Sequence, residues 1–226
     1  MTTAALVRLL QLASPALPVG AYTYSQGLEW ATEAGSVGDE ASAGTWIGYT
    51  FDAAVASFEA PLLARMMAAW NDTDLAGVRR LNEEFLASRE TAELRAETLQ
   101  MGFSLARLLH DLGEFDDGRV APLAQIERPA YPSVWSFAAN AWSVAPGDAL
   151  AAYLWSWLEN QVMAAVKLVP LGQTAGQRLL SRLGARIPAA AARALTLPDA
   201  ELSNFAPGLA IACSRHETQY TRLFRS

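Results

Sequence analysis

Apolar residues recur along most of this chain at the three-to-four-residue spacing of one helical face. Runs that alternate apolar with polar β-branched residues, the mark of a strand, are almost absent. Prolines, glycines and capping residues divide the pattern into helices. The first is expected over Thr2 to Ala13, followed by a Pro- and Gly-bearing loop from Ser14 to Ala21. Further helices are expected from near Tyr24 to Gly35, from Asp39 to Ala56, and from just before Pro61 to Trp70. The stripe Leu81, Phe85, Leu86, Leu94, Met101, Leu105, Leu108 then predicts one long helix from its cap Asp74 to His110.

The polar stretch Gly113 to Arg119 reads as a loop, with a short helix over Pro122 to Ile126. Ser133 is placed as the cap of a helix over Val134 to Val144, and Pro146-Gly147-Asp148 opens a long apolar helix to Val169. Helices over Gln173 to Leu183, Ala189 to Leu195 and Pro207 to Tyr220 follow, and Thr221 to Ser226 leaves the last. No repeat, low-complexity linker or charge block marks a boundary. The expected architecture is all-α, a single-domain helical bundle of about eight to ten helices over residues 1–226.

Composition changes this picture in one respect. Hydrophobic residues make up 52% and charged residues 18%, with seven Trp. That charged fraction lies below the roughly 25% of an ordinary soluble domain. Either the core is unusually large or part of the surface is an interface, and the second reading is favoured. The net charge of −6 and the lack of any basic run argue against nucleic acid and against an anionic membrane surface. The longest apolar stretch, Ala149 to Leu158, is half the length of a membrane span. One cysteine excludes an internal disulfide framework and suits a reducing compartment, so a cytoplasmic protein is expected.

Signatures of chemistry are sparse. Cys213 and His216 stand three apart and would share a helical face, as two ligands of an open metal site or as a thiol and base. The plainer reading, a small buried thiol beside a surface histidine, is favoured over both. Phosphate-cradling glycine motifs, a G-x-S-x-G elbow and H-E-x-x-H are absent from the sequence.

Three segments stand out instead. Leu17 to Trp30 (LPVGAYTYSQGLEW) sets Tyr22, Tyr24 and Trp30 around Gly20, and such aromatics suit an interface or a buried helix entry. Val166 to Leu180 (VKLVPLGQTAGQRLL) places Lys167 at a helix C-terminus and Gln173 and Gln177 on one face with Gly176. Cys213 to Ser226 (CSRHETQYTRLFRS) is dense in charges and aromatics, and should dock on its own fold or on a partner.

These segments carry a resemblance. LLQLASPALPVGAYTYSQGLEW, SRETAELRAETLQMGFSLARLL, VKLVPLGQTAGQRLL and SRHETQYTRLFRS resemble, in order and without gaps, the urease accessory protein UreF family from Leu9 to Ser226. The resemblance implies an all-α homodimer that joins UreD (also called UreH) and the GTPase UreG and docks on the urease apoprotein to deliver nickel. It implies that Tyr22, Glu29 and Lys167 belong to the UreG-facing surface or its support. It gives the tail, with Tyr220, Arg222 and Arg225, to folding and to the partner complex. Gln173 and Gln177 become candidates for the polar lining of an inner path for nickel, which would pass without staying as a cofactor.

Three roles are set in competition. The leading one is a nickel-insertion cochaperone without catalysis of its own. A second is direct activation of the GTPase, with Arg222 or Arg225 as an arginine finger. A third is a hydrolase using Cys213 and His216.

Overall fold

A computed structural model describes residues 2–226, and no strand occurs among them. The helices are α1 (Thr3–Ala13), α2 (Leu28–Glu33), α3 (Glu40–Thr50), α4 (Ala60–Asn71), α5 (Leu75–Ala87), α6 (Ala92–Asp111), α7 (Asp117–Ala124), α8 (Tyr131–Ala141), α9 (Pro146–Leu168), α10 (Gln173–Gly184), α11 (Ile187–Ala194) and α12 (Pro207–His216). The expected all-α bundle is what forms.

Two helices make the centre. α8 is buried at nearly every position and packs against both α4 and α6. α9 carries α1, α10, α11 and α2 around its sides. Its Leu150, Leu154, Leu158 and Val162 are fully buried, as is Trp135 of α8. The Trp135 ring meets Tyr131 and Tyr153 edge-on. A helix that is apolar all round belongs inside a bundle, and both helices follow that rule. α1 is amphipathic. It buries Ala5, Leu9 and Leu12, while Leu6, Val7 and Leu10 face outward.

Two predicted boundaries are corrected. The long helix expected from Asp74 to His110 is two helices, α5 and α6, broken at Ser88 to Thr91. Ser88 closes α5, and the Thr91 hydroxyl accepts from the Leu94 N–H to open α6. The break turns Arg89 into the interior. Conversely, α3 and α4 run on as one rod through Phe51–Glu59, a π-helical segment rather than a loop. The Ala60 N–H reaches back to the Val55 carbonyl, five residues earlier. Smaller shifts follow the caps. α2 starts at Leu28 behind a 3-10 turn over Ala21–Thr23, α7 takes in part of the expected polar loop, α8 begins at Tyr131, and α12 ends at His216.

Candidate functional site

Two of the segments singled out in the sequence, with Lys167 from the third, meet where the C-terminal tail lies across the start of α6 and the loop before α2. The loop is shaped by two consecutive left-handed residues, Gln26 (φ 50°) and Gly27 (φ 77°). At Gly27 a side chain would have no room: a Cβ there would sit 2.9 Å from Ala212 Cβ and 3.1 Å from Cys213 Sγ. The glycine thus lets α12 approach the loop backbone.

Glu29, in the first turn of α2, is the main anchor. Its carboxylate accepts from the backbone N–H of Leu223 (2.6 Å) and of Phe224 (2.8 Å), and lies 3.2 Å from His216 Nε2. The other ring nitrogen, Nδ1, is 2.7 Å from Glu93 of α6. His216 is fully buried between the two carboxylates. Arg222 donates to the second Glu93 oxygen at 2.6 Å. At the near end of the tail, Glu217 accepts from the N–H groups of Ala92 and Glu93. It thereby caps the positive end of α6.

The far end is held as firmly. The Arg225 N–H donates to the Thr23 carbonyl at 2.7 Å. The Ser226 carbonyl oxygen accepts from Ser25 N–H, Ser25 Oγ and Gln26 N–H. Ser226 Oγ donates to Glu97 at 2.9 Å, and Gln26 Nε2 donates to the other Glu97 oxygen at 2.8 Å. Trp157 of α9 donates its indole N–H to Gln26 Oε1, so the amide orientation is fixed. Lys167, at the end of α9, sits with its ammonium 5.6 Å from the centre of the Phe224 ring, a cation–π arrangement. Burial of Glu97, opposed by the hydrogen bonds from Gln26 and Ser226, pushes its carboxyl up to about 7.

Behind this clasp lies a cavity of about 70 Å³ with Tyr22, Glu159 and Asn160 among its walls and Glu97, Glu59 and Arg89 further in. Burial, and then the nearby Glu159 charge, raises the Tyr22 hydroxyl above its ordinary value. Glu59, at the end of the π-helical segment, forms a buried ion pair with Arg89 at 2.6 Å and accepts from the Tyr153 hydroxyl. The Arg89 guanidinium also covers the Phe85 ring at 4.3 Å.

Tyr22, Glu29, Lys167, Arg222, Arg225, Cys213 and His216 are therefore gathered around the clasp. Tyr220 is fully exposed on the tail's outer side. Gln173 and Gln177 lie elsewhere, exposed in the first turns of α10 and not among the walls of this cavity. The polar walls of the cavity include Gln26, Glu97 and Glu59.

The Cys213–His216 pair is corrected too. Both ring nitrogens of His216 are engaged by carboxylates, and the histidine predicted at the surface is buried. The thiol is buried against Gly27, and desolvation drives it far above its ordinary value, away from the thiolate that a nucleophile or ligand needs. Among the described residues, no group of three or more His, Cys, Asp and Glu could hold a metal ion. No helix is long and apolar enough to cross a membrane among those residues.

Sequence reasoning missed Ser25, Gln26, Glu59, Arg89, Glu93, Glu97 and Glu217. The spacing of Glu93 and Glu97, four apart inside a motif-bearing helix, was the available signal.

Comparison with known proteins agrees with the resemblance. The UreF family model matches residues 37–184. A urease accessory protein UreF of Azoarcus sp. (strain BH72) is 66% identical over 223 residues, 98% of this chain and 95% of that protein. One from Dechloromonas aromatica (strain RCB) is 61% identical, covering 98% and 97%. One from Janthinobacterium sp. (strain Marseille) is 51% identical over the whole of both chains. With the tail clasp, the helical bundle and these matches in hand, the chain belongs to the UreF family of urease accessory proteins.

Proposed function

We propose that this chain is a binding scaffold in urease maturation. It dimerises, joins UreD/UreH to the GTPase UreG, and helps to load nickel into the urease apoprotein, with no bond made or broken on the chain itself. The observation that carries this reading is the tail clasp. The tail, the loop before α2 and the start of α6, far apart in sequence, are held together by about a dozen hydrogen bonds to present one surface, on which Tyr220, Leu223 and Lys167 face outward. Aromatic and aliphatic side chains fixed on a rigid support are what an interface needs.

Exposed Leu6, Val7 and Leu10 on α1, Phe103 on α6, and Phe205 and Ile211 around α12 support association with other chains. Nickel enters as cargo. The interior oxygens of Gln26, Glu97 and Glu59 are already engaged by Trp157, Ser226, Arg89 and Tyr153, so they do not make a closed site that would trap the ion.

The test is co-purification. Tagged chain should retain UreD and UreG from cells that express the urease accessory proteins, and should raise urease activity when nickel is supplied. A chain that captures neither and leaves activity unchanged would refute the proposal. The arginine-finger reading is less well supported, because Arg222 is paired with Glu93 and the backbone at Arg225 is tied to Thr23. It requires faster GTP hydrolysis by UreG when the purified chain is added.

A further inference from the structure

Glu97 differs from the other carboxylates of the clasp. Glu29 accepts backbone N–H groups and faces His216, Glu93 meets Arg222 and His216, and Glu59 meets Arg89. Glu97 is buried with two neutral donors, the Gln26 amide and the Ser226 hydroxyl, and no cation within hydrogen-bond reach. The donor roles are not interchangeable. Because the Trp157 indole N–H holds Gln26 Oε1, Gln26 can present only its NH₂ group to Glu97 Oε1. A proton on Glu97 must therefore sit on Oε2, where the Ser226 hydroxyl can reverse its role and accept. The site keeps both contacts to a neutral carboxyl, with the Ser226 O–H turned away from Glu97, and holds an ionised one only by keeping a charge out of water.

We propose that Glu97 is a proton-responsive latch for the C-terminal tail: the tail stays docked while the carboxyl is neutral and loosens when it ionises. The release of Ser226 would let water reach the carboxylate, which stabilises the charged form.

The titratable and charged surroundings fit this assignment. Tyr24 from the loop before α2, Glu59 from the π-helical segment and Cys213 from α12 surround it without compensating a negative charge. Arg89, the cation that acts on Glu97, is committed to Glu59 and Ser88. On its own helix, one turn back, Glu93 is turned toward His216 and Arg222.

The direction follows from linkage. The docked carboxyl titrates at about 7, against 4.5 for an ordinary glutamate. Between those values the docked form keeps a proton that the released form gives up. Docking is thus tightest at acid pH, weakens as pH rises through this window, and levels off above about 7. The inference concerns how the tail is held, and stands whether or not the surface meets a partner.

Hydrogen exchange tests it. In the full chain, the protection of the Leu223, Phe224 and Arg225 amides, corrected for intrinsic rates, should fall by up to about tenfold per pH unit on the way to neutrality. Glu97→Gln, which is always neutral, should give a flat profile at the acid level of protection. A flat wild-type profile overturns the proposal. So does a pH step of the same size that persists in Glu97→Gln. If the variant fails to fold, carbon NMR of the wild-type Glu97 carboxyl decides. It should titrate with the same midpoint as the Phe224 and Arg225 amide shifts, and a carboxyl already ionised at acid pH contradicts the latch.

Discussion

Glu29 uses its two oxygens on two backbone N–H groups and lies against a buried imidazole, and both backbone donors would be stranded if the carboxylate were removed. Hydrogen bonds to a charged group contribute about 1.5–3 kcal/mol net, so Glu29→Ala should cost about 2–4 kcal/mol in urea unfolding. Arg222→Ala removes a partly exposed ion pair and should cost less than about 1 kcal/mol. Equal losses in the two variants would mean that the tail is not hung on Glu29. Arg89→Ala is a different case, because it leaves the Glu59 carboxylate buried without its cation. About 3–5 kcal/mol is expected there, read from the same unfolding curves. At this scale the sequence was half legible. Glu29, Arg222 and His216 lie in segments whose aromatics and charges drew notice. Glu59, Glu93, Glu97 and Glu217 did not, because a glutamate in a helical pattern is ordinarily a solvated residue. Their burial depends on what the tail and the neighbouring helices bring to them.

Two glycines show what an element needs from its connection. Gly27 combines a left-handed backbone with contact to α12, whereas Gly20 is left-handed (φ 81°) with open space around it. Gly20→Ala should therefore cost only the backbone term, about 1 kcal/mol. Gly27→Ala must also push α12 away and should cost at least about 2 kcal/mol, with faster exchange in the tail amides. Comparable losses at the two positions would deny that close approach matters. The break between α5 and α6 was available in Ser88 and Thr91, both good capping residues, and in the gap of the apolar stripe between Leu86 and Leu94, but the stripe resumes on a helical spacing beyond it. The stripe records which side faces the core and is silent about a turn that keeps the same side inward. The π-helical segment Phe51–Glu59 was not legible, because Phe51, Ala54, Val55 and Phe58 keep the spacing of an ordinary helical face and a shifted hydrogen-bond register leaves no mark in residue type.

Over the whole molecule, α8 and α9 fill the interior, and the clasp fixes the C-terminal tail and the loop before α2 against α6 and α9. The all-α class followed directly from periodicity. The convergence of three distant segments did not, since it arises from tertiary contacts between the tail, the α2 loop and α6. Cys213→Ala should leave urease activation largely intact, as its buried thiol fills space against Gly27; complete loss with the fold preserved would favour a thiol enzyme. The central claim is that the docked tail and the α2 loop together form a surface for other proteins. Its most direct measurement is capture of UreD and UreG by the full chain and by Glu29→Ala, with circular dichroism confirming equal helix content. The account predicts that the wild-type chain retains both partners and that Glu29→Ala loses at least one while remaining helical. Undiminished capture of both by a folded Glu29→Ala variant whose tail amides exchange freely would contradict it.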